Sequence, residues 1–285
     1  MDGTTVRHAG QAEGTSGDEV RELMALAERL AREAGDLVGT AAREKTASVA
    51  LTKSSVVDVV TEVDQAAEAL LRERITAARP TDGILGEEEA ALVGTSGLTW
   101  VLDPIDGTVN FLYGLPSFSV SVAVVAGEPD PATWTLLAGC VYAPATGATW
   151  TAGRGLGAYA DGERLRLGTP PPLGQALVGT GFSYTEDGRR GQAEVLTRVL
   201  PRVRDIRRLG SAAIDLCLVA QGRLDAFYER YLNPWDMAAG ALVLAEAGGV
   251  VRGLGEAPAG SAMTIGGHPD VAAALAAVIA GDDAA

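Results

Sequence analysis

Asp103 and Asp106 stand close together in the stretch Trp100-Val-Leu-Asp-Pro-Ile-Asp-Gly-Thr108-Val-Asn-Phe. Neighbouring carboxylates raise each other's pKa unless a cation compensates. Hard divalent cations favour such oxygen ligands, and Mg²⁺ takes them at about 2.1 Å in octahedral geometry. Gly107 and Thr108 follow at once. A short helix starting there would offer unpaired backbone N–H groups, a natural position for an anion. Cation ligands beside an anion position point to phosphate chemistry. A type I turn, with aspartate, proline and glycine in backbone roles, accounts for the same four residues. The neighbouring stretches decide between the two.

The elements that must carry these groups can be read from periodicity. Leu98 to Leu102 reads as a strand that releases both aspartates into a turn. Before it, Asp18 is placed to cap a first helix, whose apolar face is Val20, Leu23, Ala27, Leu30, Ala34, Leu37 and Ala41. Ala47 to Lys53 reads as an exposed strand, with Lys53 facing solvent or reaching a phosphate. Thr61 and Asp64 have the spacing of a capping box, opening a helix that ends before Pro80. Capping alone suffices for Asp64. It acquires a role in the site only if that helix start faces Asp103. Gly86-Glu87-Glu88-Glu89 follows a short strand, Ile84-Leu85. A charge run is usually a solvated loop, yet a strand end is also where a sheet presents side chains to a crevice.

Downstream, Ser117 to Ala126 alternates, with Phe118, Val120, Val122 and Val124 on one face. Trp134–Tyr142 and Thr149–Ala152 continue as strands, and Ala158–Leu165 is a hairpin around Asp161-Gly162. After the proline-rich Gly168–Leu173, strand and helix alternate: strands at Ala176–Thr180, Val203–Arg207 and Leu224–Glu229, helices over Gln192–Leu200, from Ser211 onward and over Met237–Ala247. Strands at Val250-Val251 and Ala262–Gly266 and a helix over His268–Ile279 close the chain. Ser211 reads as a helix cap, or with its neighbours as an anion or hydroxyl site. Asp236, in Asn233-Pro-Trp-Asp236, by itself reads as a first-turn acid complementing the helix dipole.

Composition bounds the function. The chain has 285 residues, 47% of them hydrophobic, enough for one large domain or two joined lobes. We divide it into a disordered tail over 1–17, an α+β lobe over 18–168 and an α/β lobe over 169–285. The net charge of -14 argues against nucleic acid as partner. No apolar run approaches the ~20 residues of a membrane span, and the polar N-terminus lacks a signal h-region. These features predict a cytoplasmic protein with no membrane partner. Cys140 and Cys217 lie in apolar surroundings; a disulfide is one reading, and buried free thiols are the reading a reducing compartment favours.

Acids recur at strand ends or helix starts: Asp64, Glu87, Asp103, Asp106, Glu229 and Asp236. At this point the chain resembles the inositol monophosphatase family. The resemblance is carried by Asp58–Asp64, Gly86-Glu87-Glu88, Trp100–Asn110 and Trp235–Gly249, and runs from about the first helix to the last. It implies a layered αβαβα sandwich, the α+β sugar-phosphatase fold, usually homodimeric. It implies Mg²⁺-dependent hydrolysis of a small phosphorylated polyol, inhibited by Li⁺, with two or three Mg²⁺ ions per site. By position in the motifs, Glu87, Asp103 and the Ile105 carbonyl resemble ligands of a first metal. Asp103, Asp106 and Asp236 resemble ligands of a second, and a weaker third is implied near Glu87. Gly107 and Thr108 would hold phosphate by backbone N–H. Asp64 would accept a hydrogen bond from Thr108 and orient the attacking water. Glu229 matches the acid that binds inositol hydroxyls, and Ala212 lies in the matching substrate segment.

That assignment makes physical sense. A phosphate dianion repels carboxylates, so cations must come between them, and they also acidify the attacking water. Positioning and charge neutralisation then do most of the work. The expected substrate is myo-inositol 1-phosphate. Histidinol phosphate, fructose 1,6-bisphosphate and a 3′-phosphoadenosine nucleotide remain open; the last two would want extra basic residues, for which Arg230 and Arg189-Arg190 are candidates. A regulatory binding protein on the same fold is the alternative of another class.

Overall fold

A computed structural model describes residues 15–48 and 56–281. Helix α1 (Gly17–Ser48) and helix α2 (Val56–Ala78) come first. On α1, Val20, Leu23, Ala27, Leu30, Ala34 and Val38 are buried, the three-and-four spacing of one apolar stripe; Leu37 and Ala41 flank it, half-buried. Three expectations change here. Asp18 sits inside the first turn, and Ser16 Oγ accepts the Glu19 N–H at 3.2 Å. Ala47 and Ser48, expected in a strand, finish α1; the rest of that expected strand, including Lys53, lies outside the described residues, as does most of the tail (1–14). Asp64 does not begin a helix: α2 starts at Val56, which puts Asp64 two turns inside.

Next come β1 (Gly83–Gly86), β2 (Leu98–Asp106), α3 (Thr108–Tyr113), β3 (Ser119–Ala126), β4 (Thr135–Ala143), β5 (Ala148–Gly153), β6 (Gly157–Ala160) and β7 (Glu163–Arg164). They form one seven-stranded sheet in chain order. The pair β1–β2 is parallel and the others are antiparallel hairpin neighbours. Asp161 and Gly162 both take positive φ in the expected tight turn.

The second half supplies β8 (Leu177–Thr180), α4 (Glu186–Val199), β9 (Asp205–Arg207), α5 (Ala212–Ala220), β10 (Ala226–Glu229), α6 (Pro234–Glu246), β11 (Val250–Arg252), β12 (Thr264–Gly267) and α7 (Pro269–Ala280). Its sheet runs β11-β12-β10-β8-β9. The layers follow from which faces are apolar. Trp100, Leu102, Val120, Val122 and Val124 pack with α1 and α2, while Val101, Ala123 and Val125 pack with α5 and α6. So β3 is buried on both faces, where alternation alone suggested one. Helix α6 is buried from Met237 through Leu244. A helix apolar all round belongs between two layers, and α6 touches strands of both sheets. With α4 and α7 outermost, packed around β8, β10 and β12, the order is αβαβα.

Both cysteines are free and fully buried, and burial pushes each thiol up. Among the described residues no helix is long and apolar enough to cross a membrane.

Candidate active site

The site begins with a fault in the sheet. In β2, Val101 and Asp103 point toward α6, as odd positions do. Strict alternation would send Asp106 to the opposite face. The register shifts between them: Asp103 pairs with Ser121, but Asp106 pairs with Ser119. One extra residue around Pro104 and Ile105 makes a bulge, where a missing proline N–H is tolerated. Ile105 turns into the α1/α2 core, and Asp106 returns to the side of Asp103. The two aspartates therefore remain in strand, where the sequence suggested a turn.

Two helices of the central layer receive them. Asp106 Oδ2 accepts from Ser211 Oγ at 2.5 Å and from the Ala213 N–H at 2.8 Å, at the start of α5. Asp236 Oδ2 accepts the Asn233 N–H at 2.7 Å, closing the cap of α6. Ser211 also caps α5 as read, its Oγ accepting the Ile214 N–H at 3.2 Å, and Asp236 is the first-turn acid of α6 as read, with its side chain on the site. Asp236 and Asp103 stand close enough to act on each other's proton affinity. Asp103 Oδ1 is buried and has no hydrogen-bond partner.

Beyond β2, Gly107 caps α3 at φ 98°, and a Cβ there would lie 2.8 Å from Ser117 O. Only glycine fits this crossing of backbones. It leaves the first-turn N–H groups of α3 without partners inside the helix. Asn110 Nδ2 braces the crossing by donating to Ser117 O and Leu209 O, each at 2.6 Å. The Thr108 hydroxyl donates to Ile105 O at 3.1 Å, whereas the resemblance implied Asp64 as its acceptor. Asp64 Oδ1 is buried and unpartnered.

These groups border a cavity of about 550 Å³. Of the residues singled out from sequence, Glu87, Asp103, Ile105, Asp106 and Asp236 line it. So do Gly107, Thr108, Ala212 and Glu229. Asp64 stands behind them, close enough for its charge to act on Asp103. Arg230 lines the wall but is engaged, with Nε donating to Ala262 O and its guanidinium over the Tyr231 ring. Arg189 donates to Ser183 O and Tyr184 O, and Arg190 pairs with Glu186.

Crowding shows in the proton affinities. Burial, then the charges of Glu87, Glu88 and Glu68, pushes Asp64 up to about 8. Burial and the neighbouring acids push Glu87 to about 7, although its exposed flank lets solvent soften the effect. Asp106 rises to about 7 through burial and Asp236, against the hydrogen bonds from Ser211 and Ala213. Asp236 rises to about 6 by burial, and fully buried Asp103 rises well above the carboxylate range. Glu229 reaches about 8 through burial and the charges of Asp106 and Asp236, with Arg208 opposing. Its carboxyl folds over Gly181, where a Cβ would meet it at 2.2 Å.

Sequence reasoning passed over Glu68, Arg208 and Tyr184. Arg208 and Tyr184 line the cavity. The basic pair Arg207-Arg208 just before the Gly210 turn was the available signal for the first; a lone tyrosine in a loop offers none.

The donor set fits hard cations. It consists of carboxylate and carbonyl oxygens, Asp103 Oδ1 among them buried without a partner, and burial raises every acid in it, with repulsion from neighbouring carboxylates adding to Glu87, Asp103 and Asp106. Among the described residues no three acids, histidines or cysteines are drawn together as a finished cage. The acids border an open cavity instead.

A five-layer αβαβα sandwich with an oxygen-lined cavity beside a helix start defines a phosphatase of the layered sugar-phosphatase type. The chain belongs to the inositol monophosphatase family, whose sequence pattern matches residues 19–281. It is 43% identical over 281 residues to the inositol-1-monophosphatase of Mycobacterium leprae, covering 92% of this chain and 94% of that one. It is 40% identical over 232 residues to the Nus factor SuhB of Escherichia coli, covering 80% and 84%. The solved structure of Mycobacterium tuberculosis SuhB superposes with a TM-score of 0.77 at 42% identity, covering 92% and 97%.

Proposed function

We propose that this phosphatase hydrolyses myo-inositol 1-phosphate to inositol and phosphate in a Mg²⁺-dependent reaction. The observation that carries the reading is Asp103. It is buried, has an unpartnered Oδ1, and is crowded by Glu87, Asp106, Asp236 and Asp64. Glu87, Asp103 and Ile105 O would hold one Mg²⁺, and Asp103, Asp106 and Asp236 a second. Bound there, the cations would neutralise the phosphate dianion and make water a stronger acid.

The chain's own groups do the rest. Backbone N–H groups of Gly107 and Thr108 bind phosphate oxygens at the start of α3. Asp64, unpartnered at Oδ1, accepts a hydrogen bond from the attacking water and orients it, with Glu87 beside it. Ser211 and the Ala213 N–H hold Asp106 still. Glu229, fixed above Gly181, accepts hydroxyl hydrogen bonds from the polyol ring near Asp236. Ala212 forms part of the wall that the substrate would meet. In this reading the lobes 18–168 and 169–285 act as one catalytic unit, in a cytoplasmic homodimer.

Histidinol phosphate is the second reading, because the Glu229 carboxylate suits an ammonium as well as hydroxyls. A regulatory role beside catalysis is supported by the relative named as a Nus factor. Phosphate release, measured with Mg²⁺ and with chelator, on inositol 1-phosphate, histidinol phosphate, fructose 1,6-bisphosphate and a 3′-phosphoadenosine nucleotide tests all of these. Release without divalent metal, or a clear preference for another substrate, overturns the first reading.

A further inference from the structure

Helix α2 carries Asp64, Glu68 and Arg72 at four-residue spacing, one stripe of its surface. Asp64 faces the acids of the cavity. The Glu68 side chain is wholly buried. Burying a carboxylate is costly unless it is paired and hydrogen-bonded, and Glu68 is both. Its Oε2 accepts the Glu88 N–H at 2.8 Å, and its Oε1 accepts the Glu89 N–H at 3.1 Å. Arg72 Nε donates to the same Oε1 at 2.8 Å, and Arg72 Nη2 donates to Glu89 O at 3.0 Å.

One of these four bonds ties Arg72 to Glu68, and the other three grip the two residues that follow Glu87. On its other side, Gly86 is held in the sheet against Leu102, next to Asp103. A Cβ at Gly86 would meet the Glu68 carboxyl atoms at 2.2 to 2.5 Å, so the glycine makes room for the carboxylate. The backbone of Glu87 is thus fixed before by the sheet and after by a buried ion pair from another element.

We propose that Glu68, backed by Arg72, is a positioning residue that holds Glu87 toward Asp103 and thereby sets the affinity of the first Mg²⁺ position. This rests on the reading of Glu87 as a metal ligand. Glu68 touches neither metal nor substrate. A glutamine has one accepting atom where two N–H groups and Arg72 require both oxygens of a carboxylate. Loss of such supporting bonds typically weakens metal binding about 10–100-fold.

The test uses the full chain with Glu68→Gln, Glu87→Gln and the double variant, titrated calorimetrically with Mg²⁺ in the absence of substrate. Amide hydrogen exchange at Glu88 and Glu89 is measured in parallel. Glu68→Gln is expected to raise the Kd for Mg²⁺ about 10-fold or more and to speed exchange at both amides. At saturating Mg²⁺ the substrate KM is expected to stay unchanged and kcat to stay within a few-fold. The double variant should bind no more weakly than Glu87→Gln alone, because the two act through one carboxylate. Should Glu68→Gln fail to fold, Gly86→Ala, which displaces the Glu68 carboxyl, must give the same Mg²⁺ phenotype. An unchanged Mg²⁺ Kd with lowered thermal stability makes Glu68 merely structural and overturns the proposal. An unchanged Kd in Glu87→Gln instead overturns the ligand reading itself, whatever Glu68 does.

Discussion

Asp236 and Asp103 stand close enough to act on each other's proton affinity, although one opens helix α6 and the other stands in strand β2. Buried carboxyl groups so near one another hold protons at ordinary pH unless a cation takes their place. Folding without metal therefore takes up protons. Asp64 and Glu229 stand at about 8, Glu87 and Asp106 at about 7 and Asp236 at about 6, all above their ordinary values. Between those ordinary values and about pH 8 the folded chain holds more protons than the unfolded one. Its metal-free stability must fall as pH rises through that window. Melting in chelator is expected to be several degrees lower at about pH 8 than at about pH 5, each kcal/mol moving Tm by about 2–4 °C. Mg²⁺ should erase most of the difference. A flat profile in chelator would contradict the crowding.

Asp103→Asn preserves shape and removes the most crowded charge. Activity should fall by more than the roughly 10–100-fold that a supporting residue costs. Metal-free stability at neutral pH should rise, because one source of repulsion is gone. Kinetics and melting in chelator together check this. Near-normal activity at ordinary Mg²⁺ would remove Asp103 from the metal set.

Glu229→Gln should separate substrates. Each charge-assisted hydroxyl bond contributes at most about 1.5–3 kcal/mol, so KM for inositol 1-phosphate should rise far more than for an aryl phosphate lacking hydroxyls. Gly181→Ala should imitate it, since the new Cβ pushes the Glu229 carboxyl aside. Equal losses on both substrates would assign Glu229 to the metals or the fold. A loss confined to histidinol phosphate would put that substrate first.

Lithium is expected to inhibit, and more strongly once phosphate is bound. It resembles Mg²⁺ in size with half the charge, so at Asp103, Asp106 and Asp236 it would support departure of the leaving oxygen poorly. Dose–response curves at low and high substrate test this. Insensitivity at tens of millimolar would indicate a different second position.

Element types were largely legible, because apolar spacing is a local property. What escaped was set by distant contacts. The sequence places Asp103 and Asp106 together but cannot show that a bulge turns Asp106 to the same face; that depends on pairing with Ser119. Thr61 and Asp64 have capping spacing, yet α2 begins at Val56 and both residues lie inside it. The Glu87 loop looked like a solvated charge run because its partners, Glu68 and Arg72, lie on another element. Arg230 and Arg189 looked available for substrate, and both are spent on carbonyl oxygens.

Helix α6 lies between the two sheets and delivers Asp236 to acids that precede it far upstream in the chain. During synthesis, β2 with Asp103 and Asp106 leaves the ribosome long before α6 does. Contacts so distant in sequence form late. The nascent first half therefore carries crowded acids with no partner from α6. A chain cut short before Asp236 is not a weaker catalyst; it lacks the last wall of its own site and the inner layer on which both sheets close.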